Sequence, residues 1–244
     1  VQAIDNFGLE SDVICSGAYK LDKTAPTAGT IDITGDKLEN DWYVTNITIN
    51  TVDGSDGLSG HLSTDIDVTS ITEKTESKKV TVTTEDLAGN TSTREYTIKV
   101  DKTTPEVTIS KEVNNNKNVL TAIVNPTDTI SNYTYEWYKD GNIIPNTPNL
   151  SYTTTENGTY KIRVKTGSGK VVDSNEIAID SYSIVYNLNG GTGNIQNTTK
   201  IEDLNTNITS TVPTREGYEF QGWGISATDK TVDYASNDSY TANS

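Results

Sequence analysis

The sequence predicts an all-β protein made of several small sandwich domains in a row. Short stretches that alternate apolar and polar residues are separated about every 8–12 residues by Gly, Pro, Asn or Asp. Thr, Asn, Val, Ile and Tyr are abundant, whereas the helix formers Ala and Leu are scarce and Met is absent. The third observation is an internal repeat: Val82–Pro105 reads VTTEDLAGNTSTREYTIKVDKTTP and matches Val1–Pro26, VQAIDNFGLESDVICSGAYKLDKTAP.

This repeat organises the chain. Asp5 aligns with Asp86, and Asp22–Pro26 aligns with Asp101–Pro105 at a spacing of roughly 80 residues, which indicates tandem domains. Since the repeat starts partway through a domain, we expect residues 1–24 to be the C-terminal strands of an incomplete domain in a longer protein. The Asp-Lys-Thr-Xaa-Pro motif is expected to form a stiff joint, because proline fixes its own φ and favours an extended preceding residue.

Composition excludes several classes of function. The net charge is −15 and the pI about 4.4, so the sequence lacks the clustered basic residues that nucleic acids or anionic membranes require. No apolar run approaches the length of a membrane span. Solubility is the simplest explanation of the acidity, and binding of divalent cations is the alternative. Cys15 is the single cysteine, so an intrachain disulfide is impossible, and we expect it to be a small core residue.

The strands follow in order through three further segments. In residues 25–103, Ile47–Ile49 and Val80–Thr83 alternate, Asp53–Gly60 is a turn cluster, and Tyr96, Ile98 and Val100 share a face. In residues 104–181, Tyr133, Tyr135 and Trp137 share one face, Asp140-Gly141 predicts a hairpin, and Tyr160, Ile162 and Val164 share another face. In residues 182–244, Tyr182, Ile184, Tyr186 and Leu188 alternate before the turn Gly190–Gly193.

The two middle segments each resemble a family of sandwich domains. Residues 25–103 resemble the bacterial Ig-like domains of Gram-positive surface proteins, through Asp41–Asn46, Asp53–Gly60, Glu85–Asn90 and the following Asp-Lys-Thr-Xaa-Pro. Residues 104–181 resemble Ig-like and PKD-like domains, through Tyr135–Gly141 and Gly158–Val164. The second resemblance implies that Trp137 lies in the core, that Tyr160 lies near the closing strands and that the sandwich has no disulfide.

The last segment resembles the internalin-type B-repeat, also called the Listeria–Bacteroides repeat. The matching residues are Tyr182–Gly191, Pro213–Trp223 and Tyr240–Asn243. The resemblance implies a small β-grasp-like domain. The family usually continues with one more strand, so we expect residues 182–244 to lack the last strand and to leave a sheet edge unpaired.

The sequence predicts no catalytic, cofactor-binding or metal-binding residue. His61 is the only histidine and is expected on a surface loop, so Ser-His-Asp and Cys-His sites are nearly excluded. Asp53, Asp56 and Asp86 could instead gather around Ca²⁺, or each could accept hydrogen bonds in an Asx-turn. We expect Asp86 to bind the N–H groups of its own turn. Trp42, Trp137 and Trp223 occur one per complete domain, which favours core roles.

These observations predict a non-catalytic stalk or adhesion segment of an extracellular bacterial cell-surface protein, which spaces and presents a binding domain. We expect no cofactor, no nucleic acid and no membrane insertion, and we expect the chain to be a monomeric rod. Contact with host glycan or matrix protein is expected from other domains of the longer protein. Two alternatives stay open. The chain could be an accessory region of a large secreted carbohydrate-active enzyme, or a ligand-binding adhesin or phage-fibre module.

Overall fold

The structure is a computed structural model that describes residues 2–13, 20–127, 132–228 and 230–243. Within these ranges the regular structure is β-strand, apart from one short 3₁₀ turn at Glu39–Asp41, and there is no α-helix. The predicted all-β fold class is therefore confirmed. Cys15, which we expected in a core, lies outside the described residues.

The chain divides into two compact units, Val1–Lys102 and Thr103–Ser244. This division falls inside the motif Asp101–Pro105 and next to the predicted boundary between residues 103 and 104. The finer division into segments 1–24, 25–103, 104–181 and 182–244 stays a prediction. Among the described residues, no helix has the length and apolar character needed to cross a bilayer.

The first unit contains a two-sheet β-sandwich. Its strands are β1 (Thr30–Thr34), β2 (Trp42–Tyr43), β3 (Ile47–Val52), β4 (His61–Ile66), β5 (Ser70–Ile71), β6 (Thr75–Asp86) and β7 (Thr91–Val100). One sheet has the order β1-β3-β5 and the other β2-β7-β6-β4. All neighbours are antiparallel except β2 and β7, which run parallel.

The core of this sandwich forms where the apolar faces of the two sheets meet. Ile47 and Ile49 of β3 pack with Val80 of β6 and with Ile98 and Val100 of β7. The alternation predicted for these strands is confirmed, because successive side chains of a strand point to opposite faces. Burial of these branched side chains stabilises the sandwich by about 1.5–3 kcal/mol each.

The second unit begins with another sandwich. Its strands are β8 (Glu106–Asn114), β9 (Lys117–Asn125), β10 (Thr134–Lys139), β11 (Asn142–Ile143), β12 (Ser151–Thr154), β13 (Gly158–Lys165), β14 (Val171–Asp173) and β15 (Ile177–Ile179). One sheet has the order β12-β9-β8, and the other has the order β11-β10-β13-β14 with β15 also paired to β13.

Aromatic and branched residues of β10 and β13 fill this second core. Trp137, Tyr160, Ile162 and Val164 are fully buried, as the alternation predicted. The Tyr160 hydroxyl donates a hydrogen bond to the carbonyl oxygen of Glu156 at 3.0 Å, as tyrosines near closing strands of such sandwiches do. The predicted hairpin is also present, because Asp140 and Gly141 have φ of 50° and 77° and join β10 to β11.

The last part of the second unit has short strands and a small aromatic cluster. Strands β16 (Ser181–Ile184) and β17 (Thr198–Ile201) form one antiparallel ladder, and β18 (Thr206–Asn207) and β19 (Ser239–Tyr240) form another. The ring of Trp223 lies 4.8 Å from that of Tyr186 and 5.2 Å from that of Phe220. We predicted that all three tryptophans are buried. Trp42 and Trp137 are buried, but Trp223 is only half-buried.

Candidate functional site

Three aspartates from distant parts of the first unit form the candidate site. Asp22 belongs to the Asp-Lys-Thr-Xaa-Pro joint, Asp56 to the glycine-rich turn after β3, and Asp86 to the end of β6. One carboxylate oxygen of each lies within 4.8 Å of the others. We refer to these three residues as the aspartate cluster. Asp53, which the calcium hypothesis placed together with Asp56 and Asp86, is exposed and lies outside it.

Asp86 organises the turn between β6 and β7. Its Oδ1 accepts hydrogen bonds from the backbone N–H groups of Ala88 at 2.9 Å and Asn90 at 2.8 Å, and its Oδ2 accepts one from Asn90 Nδ2 at 2.8 Å. The side chain is fully buried. A buried carboxylate requires such donors, because an unpaired charge away from water is costly. The predicted role of Asp86 in its own turn is therefore confirmed.

Asp56 closes the glycine-rich turn in a similar way. Its Oδ2 accepts the N–H groups of Leu58 and Gly60, both at 2.9 Å, and the Ser59 hydroxyl at 3.3 Å. The hydrogen bonds from Gly60 and then Leu58 hold the pKa of Asp56 below its usual value, because they stabilise the charged form. This turn is joined to the next one by the N–H of Leu87, which donates to the carbonyl of Gly60 at 2.9 Å.

Asp22 attaches the joint to both turns. Its Oδ1 accepts the N–H of Thr24 at 2.9 Å, and its Oδ2 accepts the N–H of Ser59 at 3.0 Å. These donors, Thr24 first and then Ser59, lower the pKa of Asp22. The carbonyl of Asp22 also receives Asn90 Nδ2 at 3.4 Å. The joint is therefore held against the sandwich that follows it by polar contacts at one end of the sheets.

Sequence reasoning missed Asp22 as a member of this cluster. A signal was present, since Asp22 and Asp101 begin the two copies of the same motif, but local spacing does not reveal which turn a joint contacts. Carboxylate oxygens gathered in this way are the donor set that a hard cation such as Ca²⁺ uses. The same oxygens already accept N–H groups, and this accounts for their positions without a metal. Calcium binding therefore stays an alternative hypothesis.

His61 differs from the prediction of a loop histidine. It is the first residue of β4, is half-buried, and its Nε2 lies 2.8 Å from Thr64 Oγ1. The hydroxyls of Thr64 and Thr84 accept the N–H groups of Gly54 at 3.0 Å and Gly29 at 2.9 Å. Strand β4 pairs His61 with Asp86 of β6, so the strand begins directly after the predicted turn Asp53–Gly60 and leaves no loop at His61. His61 thus contacts a pair of threonine hydroxyls that accept the N–H groups of Gly29 and Gly54.

Two depressions on the described surface do not combine catalytic groups. One is formed by a bend of the chain at Ala3–Asp5 and Leu9–Ser11. The other lies beside the β10–β11 hairpin and is lined by residues such as Lys139, Asn142 and Glu156. Neither contains a histidine next to a nucleophile, which is the arrangement that acyl transfer requires.

Comparison with protein-family models gives a match in the C-terminal segment. Residues 182–244 match the family model of the Listeria–Bacteroides repeat domain. Among solved structures, the crystal structure of murine CEACAM1b is similar over 66% of this chain and 88% of that chain, with 17% identity and a TM-score of 0.34. At this TM-score the likeness carries no argument. A search of curated protein sequences gave no match to this chain.

Proposed function

We propose that this chain is a non-catalytic stalk and adhesion segment of an extracellular bacterial cell-surface protein, and that it spaces and presents a binding domain carried elsewhere in that protein. The observation that carries this proposal is the Listeria–Bacteroides repeat at residues 182–244, which directly follows a disulfide-free β-sandwich. A repeat domain that follows a β-sandwich favours a structural role over a catalytic one.

Contacts between the repeat and the sandwich before it support such a role. Lys111 Nζ of β8 lies 2.9 Å from Glu202 Oε2 and 2.8 Å from Asp203 Oδ2 of the repeat. Asn116 and Asn205 exchange two hydrogen bonds, from Asn205 N to Asn116 Oδ1 at 2.5 Å and from Asn116 Nδ2 to the Asn205 carbonyl at 3.0 Å. Paired polar contacts of this kind limit rotation between neighbouring domains, which a segment that presents another domain requires.

In this proposal the chain acts as a monomer, and its parent protein is attached to the cell wall of a Gram-positive bacterium. Contact with host glycan or matrix protein is made by other domains of the parent. The strong negative charge suits this role, because like-charged segments remain soluble and do not associate with one another.

A display experiment tests the spacing role. The full chain is anchored to a bacterial surface through its C-terminus, with an epitope tag at its N-terminus, and antibody access to the tag is compared with a tag fused directly to the same anchor. We expect access through the surface polysaccharide only when the chain is present. Equal access for both tags would contradict the proposal.

A binding screen separates the alternatives. The purified chain is tested against a panel of glycans, insoluble polysaccharides and matrix proteins. We expect no specific binding at micromolar concentration. Saturable binding to a polysaccharide would instead favour an accessory region of a carbohydrate-active enzyme, and binding to a matrix protein would favour an adhesin module.

A further inference from the structure

Lys200 is a lysine buried in the Listeria–Bacteroides repeat. It lies on β17, and its side chain has no exposed surface. Lysine is almost never fully buried unless it is paired with a charge. Among the described residues, Lys200 Nζ donates hydrogen bonds to uncharged oxygens, the carbonyl of Ile201 at 2.8 Å and Oδ1 of Asn243 at 3.2 Å.

The nearest acidic residues are engaged by another lysine. Glu202 and Asp203 both form ion pairs with Lys111. Burial lowers the pKa of Lys200, although the charges of Asp203 and Glu202 oppose this effect. The unprotonated amine, which carries a free lone pair, is therefore more populated at Lys200 than at an exposed lysine.

The amide group of Asn243 is held in a defined orientation beside this amine. Its Oδ1 accepts the backbone N–H of Asp203 at 2.8 Å in addition to Lys200 Nζ, and its Nδ2 donates to Asp203 Oδ1 at 2.6 Å. The N–H of Asp203 on the carbonyl oxygen polarises the carbon toward attack and would stabilise an oxyanion. The carboxylate contacts the nitrogen that would have to leave.

We propose that Lys200 and Asn243 form an intramolecular isopeptide bond between Lys200 Nζ and Asn243 Cγ. The lone pair of the amine adds to Cγ in place of the hydrogen bond from Nζ to Oδ1, and the carbonyl electrons move to Oδ1, where the N–H of Asp203 stabilises the charge. Once Nζ is bonded to Cγ it is attached to the same carbon as Nδ2, and the Asp203 carboxylate, which already contacts Nδ2, passes one proton from Nζ to Nδ2. The Cγ–Nδ2 bond then breaks, the carbonyl reforms, and ammonia leaves.

The reaction is balanced without a co-reactant, because an amine and a primary amide give a secondary amide and ammonia. Asn243 lies at the surface, so ammonia escapes directly into water. The bond joins β17 to the segment after β19 and closes the loop between residues 200 and 243. Closing a loop covalently restricts the unfolded chain, as a disulfide does. Among its described residues the repeat forms short strand ladders, so such a bond would add to the stability that these ladders provide.

Intact mass spectrometry of the full, folded chain tests this proposal. We expect a mass lower than that of the sequence by about 17 Da, the mass of one ammonia. Digestion should give a branched peptide that joins Lys200 to Asn243. The loss should disappear in Lys200→Met and in Asn243→Ala and persist in Lys230→Met, a control at an exposed lysine of the same domain.

Two results would overturn the proposal. One is the full unmodified mass in the folded wild-type chain. The other is a loss of ammonia that persists in Lys200→Met, because the amide would then have reacted with its own backbone. If Lys200→Met does not fold, the branched peptide of the wild-type chain carries the test, because Asn243→Ala would remove either reaction of the amide; absence of that peptide would then overturn the proposal. Asp203→Ala should slow the loss at least tenfold, whereas Glu202→Gln, which removes only a partner of Lys111, should not.

Discussion

Replacing Asp86 by alanine removes the carboxylate that holds the turn between β6 and β7. Three hydrogen bonds are lost, from the N–H groups of Ala88 and Asn90 and from Asn90 Nδ2. A hydrogen bond to a charged group contributes about 1.5–3 kcal/mol. Part of this is recovered, because Ala88 is exposed and water replaces the carboxylate there.

The neighbouring charges reduce the loss further. Asp22 and Asp56 each place a carboxylate oxygen within 4.8 Å of one on Asp86, so removing this third carboxylate relieves their repulsion. We therefore expect Asp86→Ala to lower the free energy of unfolding of the first unit by about 2–4 kcal/mol. For a domain of this size the melting temperature should fall by roughly 10–25 °C. Asp86→Asn keeps an acceptor for the backbone and should cost about half as much.

Calorimetry of the full chain measures this effect with an internal reference. The transition of the first unit should move in Asp86→Ala, while that of the second unit stays in place. Asp53→Ala is the matched control, because Asp53 is an exposed aspartate outside the cluster, and it should change stability by less than about 0.5 kcal/mol. An Asp86→Ala variant as stable as Asp53→Ala would show that the hydrogen bonds of this turn do not hold the sandwich together.

Three further changes test other parts of the structure. Tyr160→Phe should lower the free energy of unfolding in urea by about 1–1.5 kcal/mol, because it removes a buried, hydrogen-bonded hydroxyl. Tyr218→Phe, at an exposed tyrosine, should leave it almost unchanged, and equal effects of the two changes would refute a stabilising role of the Tyr160 hydroxyl. The hydrogen bond from Arg163 lowers the pKa of Asp173 to about 2, below the value in the unfolded chain. The charged form of Asp173 therefore contributes about 1 kcal/mol to stability after solvent screening. This contribution is present above about pH 4 and is lost as the pH falls through about 2. An acid titration of stability should show this loss in the wild type and not in Asp173→Asn. Gly54→Ala places a Cβ 2.3 Å from a backbone carbonyl oxygen and should cost about 2–3 kcal/mol; a melting temperature like that of the wild type would contradict this close approach.

Much of the fold was accessible from sequence because strand patterns are local. Period-two alternation placed Ile47, Val80 and Ile162 on buried faces, and the positive φ values of Asp140 and Gly141 explain why Asp-Gly marked a hairpin. His61 was assigned to a loop because the glycine-rich turn precedes it. In the structure β4 begins at this residue, since pairing with β6 extends the strand beyond what its own pattern indicates.

The aspartate cluster shows the limit of spacing arguments. The calcium hypothesis brought Asp56 and Asp86 together, and both lie in the cluster. The calcium hypothesis also included Asp53, which belongs to the same turn as Asp56, but Asp53 is exposed and lies outside the cluster. Asp22 takes that place instead, because the joint folds back onto the two turns through Ser59 and Asn90.

The sequence by itself determined the class of fold, the faces of the strands, the turn at Asp140-Gly141 and the hydrogen-bonding role of Asp86, since each depends on residues a few positions apart. Composition alone also excluded an intrachain disulfide and nearly excluded Ser-His-Asp and Cys-His sites. Tertiary structure decided which distant side chains meet: Asp22 with Asp56 and Asp86, and Lys200 with Asn243. The physical reason is that alternation specifies which face of a strand is buried but not which strands or loops become neighbours. Because the chain contains many lysines, asparagines and aspartates, only the folded structure determines which of these side chains are in contact.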